Sequence, residues 1–441
     1  MWQAGTLILI SASFLVVLQQ LRQQGADKFL VLAVLLIWVR LAAAALGDVA
    51  LQTEFAGFSL IALSTLGMTC LGLLLIPLHL LRIGWATPFY VFIGFGVLSG
   101  LLNGATGALQ NFLVLWAYFV VVSLLLYRSF LVHGQRPVFG CLLAAFSLPF
   151  AMQLMSIVMS MPKISPDGTL NYIGGYGHEA IFSLVAVSAL WLAMTYPWAQ
   201  VAKGLVVVGC IVASLLLANY RTIIIAILPL LIVYLFFCTG PARVLRGFII
   251  PLIVAGALLP SILPEDTGSR FSEIGPVISG IGDLTKRPEE YTAREKDILS
   301  ARAYIWSVYF YGFRDAATPQ LLVGHGPDAR SPFLTVHPHN EYLRILYEFG
   351  AVGAILWFGI LLQQLRLLVR ARPHPASLLT AAGFVTVLLT ALGTSLFNRP
   401  EGIVLLALLC STTWYISDQR SMVPRSGNLQ LPVRSVGGNT G

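Results

Sequence analysis

The sequence predicts an all-α polytopic membrane protein of about 12–13 transmembrane helices, with one long polar loop containing amphipathic helices. Three observations carry that prediction. Of 441 residues, 57% are hydrophobic, and the mean hydropathy is +0.82. Only 10% are Asp, Glu, Lys or Arg, against about 25% in a soluble protein. Apolar stretches of about 18–22 residues recur along the chain, each long enough to cross a bilayer. A water-soluble globule with so few charges has no means of covering its surface, so cytosolic enzymes, secreted disulfide scaffolds and disordered chains are excluded. The net charge of +8, from 27 Lys plus Arg against 19 Asp plus Glu, first reflects cytoplasmic loops and does not indicate nucleic acid.

The apolar runs place spans at 4–21, 29–47, 56–78, 86–102, 107–126, 137–161, 178–198, 204–219, 222–239, 247–263, 345–365, 376–397 and 401–417. Residues 1–20 lack a basic leading segment and read as a retained span. The organisation is then an N-terminal group of about ten spans over 1–263, a loop over 264–340, C-terminal spans over 341–417 and a Ser/Gly/Pro-rich, disordered cytoplasmic tail over 418–441. If the spans alternate, Arg22, Lys28, Arg82, Arg128, Arg136, Lys203, Arg243, Arg246, Arg366, Arg370, Arg372, Arg420, Arg425 and Arg434 share one side. The positive-inside rule makes that side cytoplasmic. Segments near Asp48, Glu54 and Asn103, residues 162–177, Arg221, Arg399 and the long loop then face outward. Cys70, Cys141, Cys210, Cys238 and Cys410 all lie in apolar runs, where a thiol acts as a small hydrophobe.

Long loops inside compact proteins are usually functional or carry structure of their own. The stretch REKDILSARAYIWSVYFYGFR, residues 294–314, spaces Leu299, Ala303, Trp306 and Phe310 at helical intervals. Two placements suit it: a helix at the outer membrane surface with Trp306, Tyr309 and Tyr311 at headgroup level, or a helix packed on the loop's own core.

At the end of this loop stands TVHPHNEYLRILYEFGAVGAILWF, residues 335–358. His337 and His339 flank Pro338 and precede Asn340 and Glu341, just before the chain re-enters the membrane. Imidazole is the side chain best suited to take a proton near neutral pH, and Pro338 restricts the directions of the two rings. Asn340 suits a helix cap, or a hydrogen bond to a ring or sugar hydroxyl. Gly350 and Gly353 suit close packing of the following helix. The plainer reading is two histidines at a water interface beside a cap. A zinc site is a further alternative, although no HxxxH pair or Cys ligand lies nearby and His325 is the only other His of the loop.

Arginines form the second constellation. Arg221 separates two apolar runs, Arg302 lies in the loop helix, Arg344 follows the His motif, Arg399 sits in FNRPEG and Arg40 lies within the second span. A guanidinium near hydrocarbon usually has a partner and suits multidentate contact with phosphate. Arg221 and Arg302 are read as anion-binding, and Arg344 and Arg399 as snorkelling or ion-paired residues. The segment NYIGGYGHEAIF places Tyr172, Tyr176, His178 and Glu179 near three glycines at the outer end of a span, a candidate wall of the site or a plain turn with a capped helix. The chain contains no Walker motif, GxSxG elbow or DxD pair. ATP-driven transport and nucleotide-sugar transfer are therefore disfavoured, and an outward site calls for a donor that arrives activated.

At these residues the sequence resembles the O-antigen ligase and polymerase superfamily of bacterial envelope glycosyltransferases, the ligases most of all. The ligase pattern is His followed by Asn, Ser or Gln, nine residues, Gly, two residues, then Gly, Thr or Tyr; His339, Asn340, Gly350 and Gly353 fit it. Arg221 after a span, the long loop, Arg302 with Trp306, and a GHG turn before the His motif match in order, over roughly residues 177–409. The resemblance implies a GT-C-like, multi-pass protein of the bacterial inner membrane with a periplasmic site. It also implies inverting, metal-independent transfer without a cofactor, from an undecaprenyl-diphosphate-linked glycan to the lipid A-core of lipopolysaccharide. By position, His339 would be the general base, with His337 as the other candidate. Arg221 and Arg302 would bind the diphosphate, with Asn340, Tyr172, His178 and Arg40 as candidate supports. A repeat-unit polymerase, an O-linked protein oligosaccharyltransferase and a lipid-linked glycan transporter are the competing functions. Thirteen spans would place the N-terminus outside, whereas the ligases are expected to have twelve with both ends cytoplasmic.

Overall fold

The computed structural model describes residues 2–47, 54–55, 58–165, 168–239, 286–296, 301–334, 336–371 and 374–422. Its membrane helices are α1 (Trp2–Gln23), α2 (Lys28–Ala45), α3 (Leu60–Leu75), then, after the short α4 (Leu78–Leu81), α5 (Thr87–Leu102), α6 (Thr106–His133), α7 (Gln135–Val158), α8 (Glu179–Thr195) and α9 (Val201–Leu217). The next span is split into α10 (Arg221–Ala226), α11 (Leu228–Val233) and a π-helical turn, Tyr234–Thr239. Pro229 at the start of α11 supplies no amide to the turn before it, which accounts for the break. The loop contributes α12 (Ala293–Lys296), α13 (Arg302–Arg314) and α14 (Thr318–Val323), and α15 (Glu341–Arg370), α16 (Pro375–Ala391) and α17 (Pro400–Met422) close the bundle.

Among the described residues, 7 helices are long and apolar enough to cross a membrane, and the shorter apolar helices α3, α8, α9, α10 with α11, and α16 join them. Twelve of the predicted spans thus coincide with helices; the one at 247–263 lies outside the described residues. The all-α polytopic class therefore holds. Two small antiparallel ladders that the sequence reading lacked, Glu54–Phe55 with Phe58–Ser59 and Lys163–Ile164 with Leu170–Asn171, sit in connections. The last helix runs on to Met422, past the predicted end at 417, because the Asp418 carboxylate accepts from Trp85 Nε1 at 3.1 Å and from Tyr127.

The centre of the bundle is α17, whose span is 83% buried, while α1, at 22%, lies at the rim with Leu7, Ile8 and Leu15 exposed. Exposed apolar rows of this kind are what lipid requires. Lipid gives no hydrophobic drive between helices, so close packing and hydrogen bonds join them. Phe92 meets Phe349 and Trp357 with ring centroids 5.5 Å apart, Trp357 stacks near Phe397 at 4.7 Å, and Trp414 Nε1 donates to Gln364 Oε1 at 3.1 Å. Near the outer ends of their helices, Arg40 of α2 donates through Nε and Nη2 to Glu401 Oε1 of α17 at 3.0 and 2.7 Å. Glu401→Ala would strand the Arg40 charge and is expected to destabilise the bundle by about 3–5 kcal/mol. A thermal unfolding shift in detergent checks this, and an unchanged midpoint contradicts it.

Chain direction alternates from helix to helix, so the connections after α2, α5, α7, α9 and α16 and the start of α15 share one face. Tyr172 N–H donates to Leu217 O at 3.1 Å, Asn103 Nδ2 to Gly324 O at 3.1 Å, and Asn340 Nδ2 to Leu392 O at 3.2 Å, tying four of these connections together. Trp2, at the start of α1, lies beside Gly175 on that same face. The start of the described chain is therefore on the side of the His motif, the placement that thirteen spans would give, whereas the resemblance implied twelve with both ends cytoplasmic.

Gly350 accounts for the shape of α15. Its φ of 65° and ψ of −170° fall in a region that essentially only glycine occupies. It breaks the 30-residue helix into an outer segment, 341–349, and a segment of about 20 residues, the length a bilayer needs. The break frees carbonyls, and the GHG turn fills them: His325 N–H donates to Tyr347 O and Gly326 N–H to Glu348 O, both at 2.9 Å. Gly350 thus allows close packing as expected, but by interrupting its helix.

Candidate functional site

The loop helix α13 packs on the loop's own core and on α15. Its buried side is Ala303, Ile305, Val308 and Tyr309, and Ile305 and Tyr309 form a small core with Tyr347 of α15. Phe310, assigned to the buried stripe by spacing, is 44% exposed, and Leu299 lies outside the described residues. The stripe at 301, 305, 308, 309 and 313 also has helical spacing; contact with Tyr347 selects it over the predicted one. Tyr311 packs its ring under Arg287 and Arg314 instead.

This core positions the motif. Trp306 Nε1 donates to Pro338 O and Tyr309 OH to Val336 O, each at 2.8 Å. Between these anchors and α15, His339 takes a φ of 49°, a left-handed conformation that costs a non-glycine residue about 1–3 kcal/mol unless its surroundings impose it. Asn340 is the N-cap of α15, its Oδ1 accepting from Tyr342 and Leu343 N–H at 3.0 and 3.1 Å. With Nδ2 on Leu392 O, the amide is engaged on both sides. This is the cap reading.

The two imidazoles have different neighbours. His339 is half-buried, and burial first, then Arg302 and Arg399, push its pKa down to about 4; His178 and His337 add smaller effects. His178 is the N-cap of α8, with Nδ1 accepting from Ala180 N–H at 3.1 Å. Its pKa is likewise lowered by burial, against Glu179, and further by Arg399, Lys163 and Arg302. These mutual effects gather His178, Arg302, His339 and Arg399 in one neighbourhood. Arg302 Nη1 donates to Thr222 Oγ1 at 3.3 Å, beside Arg221 at the start of α10. Gly393 leaves room for that guanidinium, since a Cβ there would lie 3.3 Å from Nη1. Tyr220 OH holds the same turn by donating to Gly393 O at 3.1 Å. The arrangement is an uncharged imidazole facing guanidiniums, suited to accept a proton next to a bound anion.

His337 instead places Nε2 3.0 Å from Asp328 Oδ1, and that hydrogen bond lowers the Asp328 pKa. His325 stacks on Tyr347 at 4.3 Å. Among the described residues, no three His, Cys, Asp or Glu side chains converge.

The remaining predicted residues divide. Arg302 bonds Thr222, the residue that follows Arg221 at the start of α10. Arg344, read as ion-paired, is buried between Glu341 and Glu348, with Nε 3.1 Å from Glu341 Oε1 and Nη1 2.6 Å from Glu348 Oε2. Arg40 lies apart, in its pair with Glu401. Tyr172 serves through its backbone, which bonds Leu217 and Gln153, and Tyr176 is a core residue whose OH donates to Leu41 O at 3.2 Å. Arg399 is the correction in the other direction: read as a snorkelling residue, it lies beside His339 because the short turn between α16 and α17 returns to the same face. Asp328 and Thr222 were missed altogether; their partners are set by the GHG turn and by the start of α10, and no motif marks either.

The helical bundle, with an imidazole and arginines gathered at one face, is that of a multi-pass membrane protein. Residues 205–358 match the family described as O-antigen ligase, a stretch that includes Arg221, Arg302, His337, His339, Gly350 and Gly353. That match supports the resemblance to the O-antigen ligase and polymerase superfamily and, with it, a glycosyltransferase-like protein in a membrane environment. His178 and Arg399 lie outside the matched stretch. No curated protein matches the chain.

Proposed function

We propose that the protein is an O-antigen ligase: an inverting, metal-independent glycosyltransferase of GT-C type in the bacterial inner membrane. It transfers glycan from undecaprenyl diphosphate to a sugar hydroxyl of lipid A-core. The observation that carries this reading is His339, neutral and half-buried, facing Arg302 and Arg399 beside Arg221. The acceptor hydroxyl gives its proton to His339 as its oxygen attacks the anomeric carbon. The bond from that carbon to the diphosphate breaks, and the arginines hold the departing charge. Arg22, Lys28, Arg82, Arg128, Arg136, Lys203, Arg366 and Arg370 lie toward the opposite face, which supports a periplasmic site.

The alternative is a repeat-unit polymerase, which shares this donor chemistry and differs in acceptor. Deleting the gene separates the two. Long chains accumulating on the lipid carrier, with bare core on lipid A, support the ligase; core bearing a single repeat supports the polymerase and overturns the ligase.

Two further outcomes are expected. Donor diphosphate bound at Arg302 and Arg399 offsets the positive charge that depresses His339, so its pKa rises in the complex. The acid limb of kcat therefore lies at higher pH than that of kcat/KM for the donor; coincident limbs contradict the assignment. Cations around His339 also oppose a metal ion there, so transfer is expected to persist in excess chelator, and loss of activity restored by a divalent ion contradicts this.

A further inference from the structure

On the far side of the His-Pro-His segment from Arg302 lies a cavity of about 390 Å³, bounded by α3, α6, the GHG turn, α15 and the 397–400 turn. That volume lies within the roughly 300–1,000 Å³ of small-molecule sites. Its charged groups are already matched: Arg40 to Glu401 at 2.7 Å, Arg344 to Glu348 at 2.6 Å and His337 to Asp328 at 3.0 Å. With Glu341 also on Arg344, the carboxylates outnumber the guanidiniums, so a diphosphate would meet net repulsion. What the walls still offer is single hydrogen bonds from polar groups whose charge is already paired or absent. His337 Nδ1, Arg40 Nη1, Glu348 Oε1 and Asn398 Oδ1 are buried with no partner among the described residues, and the exposed amides Gln110 and Asn111 stand at the mouth. Leu66, Phe112 and Pro327 supply apolar surface between them.

We propose that this chamber binds a neutral sugar residue, separately from the diphosphate at Arg302, with His337 fixed by Asp328 and Asn111 at the mouth holding its hydroxyls. Unpaired donors and acceptors between apolar walls match the alternating OH groups and C–H faces of a pyranose ring. Asp328 Oδ1 accepts from His337 Nε2–H, which fixes the ring and leaves Nδ1 turned to a sugar hydroxyl. The identity of the sugar as glycan donor or acceptor rests on the transferase reading; the chamber's preference for an uncharged saccharide does not. His337 is thereby a binding residue, and the two histidines divide sugar and proton between them.

The test uses the full chain in nanodiscs and two probes without lipid or diphosphate: core oligosaccharide released by mild acid, and repeat-unit polysaccharide cleaved from its carrier. One of the two is expected to bind saturably, which also identifies the source as acceptor or donor. Inorganic pyrophosphate at saturating concentration is expected not to displace it. Ala108→Trp, which fills the cavity, is expected to abolish binding, and Asn111→Ala, at the exposed mouth and harmless to packing, to weaken it about tenfold. Absence of binding by both probes, displacement by pyrophosphate, or wild-type binding by Asn111→Ala overturns the proposal. Saccharide binding without any transfer in a reconstituted assay leaves the chamber standing and overturns the transferase reading instead.

Discussion

Replacing His339 with Ala lowers the rate of glycan transfer by about 10²–10⁴-fold, while the protein accumulates in the membrane at its normal level. The imidazole is half-buried, and among the described residues no hydrogen bond runs through it in the way that Asn340 caps α15 or Trp306 holds Pro338. Burial, Arg302 and Arg399 hold the ring uncharged, so its removal strands no charge and stability is expected to hold. A sugar hydroxyl is a poor nucleophile until its proton leaves, and no arginine accepts a proton under physiological conditions. The check is complementation of a deletion strain, scoring glycan on lipid A-core against protein in the membrane. Near-normal transfer by His339→Ala removes the base assignment; loss of the protein itself shows a structural role.

Gly350→Ala disrupts the fold by roughly 2–6 kcal/mol, through backbone strain and overpacking together. At φ 65° and ψ −170° an alanine is strained, and its Cβ would lie 2.5 Å from the Leu322 carbonyl carbon and 2.6 Å from Gly324 N. Relief requires α14 and the GHG turn to withdraw, which breaks the bonds from His325 and Gly326 to α15 and shifts Asp328 away from His337. Gly359→Ala is the control, because a Cβ there meets nothing within 4 Å. Thermal unfolding of the two variants, with comparable midpoints for wild type and Gly359→Ala and a large drop for Gly350→Ala, is the expected pattern. Equal midpoints for all three contradict the break as a requirement of the fold.

These two residues show what the sequence made legible. Spans were readable because a run of apolar residues long enough to cross a bilayer has few other uses, and the twelve described helices follow those runs. The chemistry-bearing residues were readable as types: two His, a cap and arginines at one face. Their division of labour was not. His337 and His339 are two residues apart, yet one meets Asp328 and the other Arg302 and Arg399, because the Trp306 bond to Pro338 and the left-handed backbone at His339 turn them apart. The spacing of Gly350 and Gly353 suggested close helix packing, but a helix-period pattern carries no sign of a break. That break depends on α14, which is remote in sequence from the glycine it packs against. Arg399 was misread for a related reason: its short turn looks peripheral until α16 and α17 are placed beside α15. The face of α13 was a choice between two stripes with the same period, and only contact with Tyr347 selects one.

The central claim is that His339 and the arginines beside it carry out the transfer at one face of the bundle. The most direct measurement is single-turnover transfer in proteoliposomes that hold purified protein, a lipid-linked glycan donor and lipid A-core, with chelator present. Released undecaprenyl diphosphate and glycosylated core are quantified together for wild type, His339→Gln and Arg302→Gln. The expected result is equal amounts of both products with wild type and almost none with either variant. Transfer by His339→Gln at the wild-type rate, or core glycosylated without release of carrier diphosphate, contradicts the claim.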